Sequence, residues 1–198
     1  NEICMIMLGE TGLMAEVIKV GGGLAYVQVF ESTRGLKVGA KVKFTASMLE
    51  VTLGPGILSR NYDGLQNDLD KIEGIFLQRG KYTTAIDNDK QWDFKPLVSN
   101  GDAAEAGTWL GEVQENRISH KIMAPFNLGE PCTVKSVVPE GSYGVNEEIA
   151  VLVDKQGREI PVTMVQKWPV KKPLKSYRNK PRPSAILETG IRAIDTLN

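Results

Sequence analysis

The chain has 198 residues, 41% apolar and 24% charged, and its 24 basic and 24 acidic residues cancel to a formal net charge of zero. That length is enough to bury a real core. The balanced charge argues against a dedicated nucleic-acid binder, and no apolar run reaches the roughly 20 residues that cross a bilayer as a helix.

Met5-Ile6-Met7-Leu8 is too short for the apolar part of a signal peptide, and no basic segment precedes it. Leu13 to Val20 reads as a strand, Gly21-Gly22-Gly23 as its turn, and Leu24 to Phe30 as the return strand. On the return strand Ala25, Val27 and Val29 share one face by the two-residue period. Lys41-Val42-Lys43-Phe44 alternates charged and apolar residues, as a third short strand does. Short strands at this spacing predict a small antiparallel barrel over residues 1–60.

Gly54-Pro55-Gly56 breaks the pattern, and a connecting helix is expected over 61–78. Leu65, Leu69, Ile72 and Phe76 would lie on one face, with Asp63 as N-cap and Gln66 completing a capping box. From 79 to 165 turn signals recur, among them Asn100-Gly101-Asp102, Pro139-Glu140-Gly141 and Gln156-Gly157, and predict a second, all-β domain. Residues 166–198 read as a linker. Its stretch 167–183 holds seven basic residues, four prolines and no acid, which favours an extended strap laid across an acidic surface. The chain lacks an initiator Met and stops at Ile194-Asp195-Thr196-Leu197-Asn198, so it reads as an excised piece.

Catalytic chemistry is sparse. Phosphate binding of the P-loop kind needs GxxxxGK[ST], which is absent, and neither glycine-rich turn has the lysine. His120 has no nucleophile motif beside it, and Ser119 points to the opposite face of a strand. Cys4 and Cys132 are far apart and without CxxC partners, so they read as buried thiols of a reducing compartment, not a disulfide or zinc site. Asp68 and Asp70, and Glu147 with Glu148, read as solvated surface. Lys121-Ile122-Met123 echoes a biotinyl- or lipoyl-type carrier. Lys121 follows His120, however, where a carrier needs methionine or an acid. A free-standing interaction module is the other alternative.

Several passages together resemble the catalytic A subunit of V-type and archaeal-type rotary ATPases. Gly54-Pro55-Gly56-Ile57-Leu58 with Tyr62-Asp63-Gly64-Leu65-Gln66 looks like the exit from that subunit's N-terminal barrel. Trp92-Asp93-Phe94-Lys95-Pro96-Leu97, Leu110-Gly111-Glu112-Val113-Gln114-Glu115 and His120-Lys121-Ile122-Met123 resemble the insertion that marks it. Thr163-Met164-Val165-Gln166-Lys167-Trp168-Pro169-Val170 and Glu188-Thr189-Gly190-Ile191-Arg192 resemble the approach to its nucleotide-binding domain. The family normally opens with an earlier barrel strand, which is absent here, Asn67-Asp68-Leu69 stands where an Arg-Pro-Leu-like turn is common, and Pro125-Phe126 replaces a double proline.

The resemblance implies a mainly β chain: a partial barrel, the connecting helix, an inserted barrel-sandwich-like domain over 79–165 and the basic linker. It implies a parent that binds Mg-ATP, alternates with B subunits in a hexamer, meets a peripheral stalk through the insertion, and lies in the cytoplasm against a membrane it does not enter. No catalytic, nucleotide or metal residue carries over, and no cofactor is expected in this region. The residues expected to matter are structural or interfacial: Gly54, Pro55, Gly56, Tyr62, Asp63, Gly64, Trp168 and Pro169. Trp168 is expected to be buried as the anchor of the strap.

Overall fold

The computed structural model describes residues 1–72, 74, 78–172 and 182–196. Four strands open the chain: β1 (Glu2–Leu8), β2 (Thr11–Gly21), β3 (Leu24–Val29) and β4 (Val42–Met48). They form a curled antiparallel sheet in the order β3-β2-β1-β4. Its inner face follows from register, since Cys4 lies opposite Ala15 and Ile6 opposite Leu13. These four are buried, with Leu8, Val27, Val29, Leu36 and Ala40 packed against them. Ala25, expected to join that face, pairs with Val20 beside the turn at the tip of the β2–β3 hairpin, past a register shift between Val17 and Lys19, and is exposed. Strand β1 was not legible as a strand: its apolar run shows no alternation, because Met5 and Met7 on the outer face are also half-buried.

The helix expected over 61–78 does not form through Ile72. After β5 (Glu50–Leu53) the chain makes an isolated bridge between Tyr62 and Asp68, then one 3-10 turn at Leu69–Lys71. Ile72 is extended, at φ −90° and ψ 122°. Side chains that compete with a helix explain the correction. The Asp63 carboxylate accepts from Leu65 N at 2.9 Å and Asn67 N at 2.7 Å, so it caps a loop. Gln66 stands at φ 62°, in the left-handed region. Residues 73 and 75–77, including Phe76, lie outside the described residues.

The long β segment follows as β6 (Gln91–Pro96), β7 (Ala103–Ala104), β8 (Trp109–Glu115), β9 (Ile118–Met123), β10 (Cys132–Val137), β11 (Gly141–Gly144), β12 (Ala150–Val153) and β13 (Glu159–Val162). They make two four-stranded sheets, β11-β6-β8-β9 and β13-β12-β10-β7. Alternation, interrupted in β8 by a register shift between Trp109 and Gly111, sends Trp92, Phe94, Leu110, Val113 and Ile122 from the first sheet, and Val134, Leu152 and Val162 from the second, into one shared core. Phe94 is fully buried at its centre. Its ring lies where a side chain at residue 111 would be: a Cβ on Gly111 would stand 2.1 Å from Phe94 Cε2.

Strand β14 (Gln166–Pro169) then returns to pair antiparallel with β5, Gln166 opposite Leu53 and Pro169 opposite Glu50. Everything from 54 to 165 is therefore an excursion that leaves and re-enters through two hydrogen-bonded neighbours. A short helix, α1 (Arg192–Thr196), lies near the end of the chain. The strap expected over 167–183 falls largely outside the described residues, which stop at 172 and resume at 182.

Candidate functional site

The densest polar arrangement is the root of the excursion, just past β5. Glu115, at the end of β8, is almost fully buried at 2% exposure. One carboxylate oxygen accepts from Gly56 N at 2.8 Å and Leu58 N at 3.1 Å. The other accepts from His120 Nδ1 across the β8–β9 hairpin at 2.8 Å. A buried carboxylate is tolerated only when so satisfied. Gly56 meets this demand with φ 101°, a conformation most side chains avoid, and the edge of Trp92 lies against it. Lys90 Nζ stands 3.9 Å from the centre of the Trp92 ring. Trp92 Nε1 is buried without a partner among the described residues.

A second buried carboxylate, Asp68, fixes the next stretch. It pairs with Arg60 Nη1 at 3.0 Å and lies 3.7 Å from Lys71 Nζ, while its backbone N–H donates to Thr83 Oγ1 at 2.6 Å. Tyr62 donates its hydroxyl to Ala85 O at 2.7 Å. Burial, then the nearby Asp68 charge, pushes the Tyr62 phenol above its ordinary pKa. The Gln66 side-chain amide accepts from Thr52 N at 2.7 Å and donates to Thr52 O at 2.6 Å, as a neighbouring strand would. It closes the edge of β5 that β14 leaves open.

Further ties run back to the first sheet. Lys171, just past β14, donates to both oxygens of Glu16, at 2.6 and 2.8 Å, and Glu16 is buried. Tyr82 donates to Glu31 at 2.5 Å and accepts from Met14 N at 2.9 Å. Burial, reinforced by the Glu31 hydrogen bond, raises the Tyr82 pKa to about 12.

The expected residues divide. Gly54, Pro55 and Gly56 lie in the clamp, the first two buried. A Cβ on Gly54 would meet Met164 O at 3.0 Å. Tyr62 and Asp63 hold the loop that follows. Gly64 is exposed with nothing near it, and no feature there requires glycine. Trp168 is only half-buried: its ring meets Phe126 edge-on at 4.7 Å, and its Nε1 donates to Gln166 at 3.2 Å. Pro169 sits opposite Glu50 at the ribbon's end. Glu115 and Glu16 were not singled out from the sequence, because their partners lie 59 and 155 residues away; Asp68, expected as solvated surface, is instead fully buried against Arg60, and Gln66, expected in a capping box, is spent on Thr52.

Burial, with the charges of Asp154 and Glu130 added, raises the pKa of the Cys132 thiol. Its Sγ lies 3.5 Å from Glu130 O, in a surface cleft of ≈ 680 Å³ that Asp154 and Arg158 also line. Cys4 is likewise a buried free thiol raised by burial and by Glu2. Lys121 lies inside β9, paired with Glu112 and 5.2 Å from the Trp109 ring centre, whereas a carrier lysine stands at a hairpin tip. The Gly56 N–H that a phosphate would need is held by Glu115. Among the described residues, no three His, Cys, Asp or Glu converge on a common point.

Residues 1–46 match the family described as the ATP synthase alpha/beta family β-barrel domain, and 83–171 match the ATP synthase alpha/beta subunit barrel-sandwich domain. The V-type ATP synthase alpha chain of Treponema denticola is 42% identical over 99% of this chain and 34% of its own length. That of Borrelia recurrentis is 44% identical, and alpha chain 1 of Treponema pallidum 43%, each over the same shares. The chain belongs to the ATP synthase alpha/beta family. It spans about a third of the length of these curated relatives. Within the family frame, the first sheet falls in the barrel domain and β6 to β14 in the barrel-sandwich. The Glu115 clamp and the Asp68 loop tie the barrel-sandwich stretch to residues 47–82 between the matched stretches, and Lys171 on Glu16 and Tyr82 on Glu31 tie back to the barrel stretch. Among the described residues no helix is long and apolar enough to cross a membrane.

Proposed function

We propose that this chain is the non-catalytic N-terminal region of the A subunit of a V/A-type ATPase. That enzyme couples ATP hydrolysis or synthesis to proton or sodium transport. The observation that carries the reading is similarity of 42–44% to V-type alpha chains along 99% of the sequence, insertion included. In this reading the Mg-ATP site belongs to the rest of the subunit, the complex lies at the cytoplasmic side of a membrane, and the N-terminal sheet meets B subunits in a hexamer. The inserted domain, taken as 79–165, meets the peripheral stalk. Stiffness is the physical property that suits the insertion to that role. Its root is held by a buried carboxylate on two backbone N–H groups and by a paired ribbon, so a load on its tip is passed to the barrel with little bending.

The test uses the whole subunit. Residues 54–165 are replaced by a two-residue turn joining β5 to β14, and the complex is purified. The expected result is a hexamer that hydrolyses ATP but loses its stalk subunits. A complex that keeps its stalk overturns the insertion's role. Residues 1–198 alone should show no ATP binding by calorimetry, and micromolar affinity there would overturn the placement of the nucleotide site.

A further inference from the structure

One pair of residues in the inserted domain carries covalent chemistry of its own. Asn100-Gly101, between β6 and β7, is the only place in the chain where glycine follows asparagine. Asparagine is a chemically labile residue. Glycine after it removes the side chain that would keep the next backbone nitrogen away from its carboxamide.

The fold holds these two groups apart. Residues 99–102 form a turn closed by Asp102 N on Ser99 O at 3.2 Å. Gly101 stands at φ 94° and Asn100 is not left-handed, which makes the turn type II. The second residue of such a turn has ψ of about +120°, which swings Gly101 N away from the Asn100 Cβ. Both reacting groups are also tied. Gly101 N donates to Val134 O at 2.8 Å, and Asn100 Oδ1 accepts from Val137 N at 3.1 Å. Asp102 completes the frame: its carbonyl accepts from Val134 N at 2.8 Å and its carboxylate from Ser99 N at 2.7 Å. Val134 belongs to the shared core, whereas Asn100 and Asp102 are exposed, so the turn is fastened on its inner side and wet on its outer side.

We propose that Asn100-Gly101 is a self-modification site, held off by the folded turn and converted in molecules whose turn has opened. Once the ties break, Gly101 N attacks Cγ of the Asn100 carboxamide. The new N–Cγ bond closes an imide ring, the Cγ–Nδ2 bond breaks, and the nitrogen leaves as ammonia with the proton from Gly101 N. Water then opens the ring. Attack at Cγ leaves aspartate; attack at the main-chain carbonyl leaves isoaspartate, in which the backbone runs through Cβ. Either product adds a negative charge close to Asp102. Isoaspartate also lengthens the backbone just before Gly101, so Gly101 N and Asp102 O no longer face Val134 together. Strand β7 follows at once, is two residues long, lies at the sheet edge and depends on that register. Opening of the turn is thereby recorded in a bond that refolding does not undo.

The test holds residues 1–198 at physiological temperature and pH, either folded or in urea. Peptide mapping by mass spectrometry reads conversion at residue 100, and an isoaspartate-specific methyltransferase reads the isoaspartate share. Conversion should be at least about tenfold faster in urea, because a closed turn reacts only through its open fraction. Asp102→Ala removes the tie to Ser99 N from an exposed position and should move the folded rate toward the urea rate. Asn100→Gln should slow conversion sharply in both conditions, because its longer side chain closes a less favourable ring. Equal rates folded and in urea, or no conversion in urea, overturns the proposal. So does a folded Asp102→Ala chain that converts no faster than the parent. Converted chains refolded from urea should exchange their Gly101 and Val134 amides faster than the parent, and parent-like protection there overturns the lasting record.

Discussion

Replacing Glu115 by alanine removes one side chain and strands three donors: Gly56 N, Leu58 N and His120 Nδ1. Hydrogen bonds to a charged group contribute about 1.5–3 kcal/mol each, and a buried donor left unpaired costs about 1–3 kcal/mol. Those values do not add, because one carboxylate serves all three. Half-buried His120 can turn to water, whereas the two loop amides cannot without moving Gly56 off the Trp92 edge. The net loss is therefore expected at about 3 kcal/mol, because two buried loop amides lose their charged acceptor together. For a chain of this size that lowers the melting temperature by roughly 10 °C. Glu115→Gln keeps an acceptor for the loop amides and should lose less than half as much. The assay is a thermal melt paired with amide exchange at Gly56 and Leu58, which should speed up in the alanine variant before the core strands do. An alanine variant that melts within about 2 °C of the parent, with exchange at Gly56 unchanged, would refute the clamp.

Gly111→Ala places a methyl 2.1 Å from a fully buried ring and 2.9 Å from Lys95 O. It should destabilise by about 1–3 kcal/mol or more in a chemical melt, and a loss below about 0.5 kcal/mol would mean that Phe94 has room to move. Trp168→Ala removes a half-buried ring and its contact with Phe126. A drop of a few degrees is expected, and a parent-like melt would transfer Trp168 to a partner surface. Tyr82 has its pKa raised from 10.0 to about 12, so its protonated form is favoured in the fold. That contribution is whole below pH 10 and fades as pH rises toward 12, and Tyr82→Phe should remove this alkaline loss from a melt-versus-pH curve. Parallel alkaline limbs for variant and parent would show that the tie to Glu31 is not what titrates.

What could be read from the sequence was what local pattern encodes. Strands β2 and β3 with their glycine turn, the alternation at Val42 and Phe44, and the turn-rich β segment all follow from period and punctuation. The helix over 61–78 failed for a reason equally physical. Leu65, Leu69 and Ile72 have helical spacing, but Asp63, Gln66 and Asp68 each spend their side chains on backbone groups that a helix would have used or left distant. Spacing records where apolar residues recur and is silent on such competition. Glu115 was invisible for a related cause. A carboxylate at a hairpin end reads as solvent-facing unless the loop that covers it, 59 residues earlier, is already in place.

The ribbon of β5 and β14 also decides how the molecule bears tension. A pull on the chain from before β5 to after β14 is taken up across the antiparallel ribbon that sets Leu53 against Gln166 and Val51 against Trp168, and that ends in the bond from Val170 N to Leu49 O at 2.8 Å. Residues 54–165 hang outside that path as a closed side loop, so stretching the backbone does not unravel their core. The same bypass allows length to be gained or lost in the excursion without changing the register of the strands that flank it. Such a splice point is where a new module can be threaded into an old domain, and the Gln66 amide on Thr52 keeps its outer edge sealed against an unwanted strand.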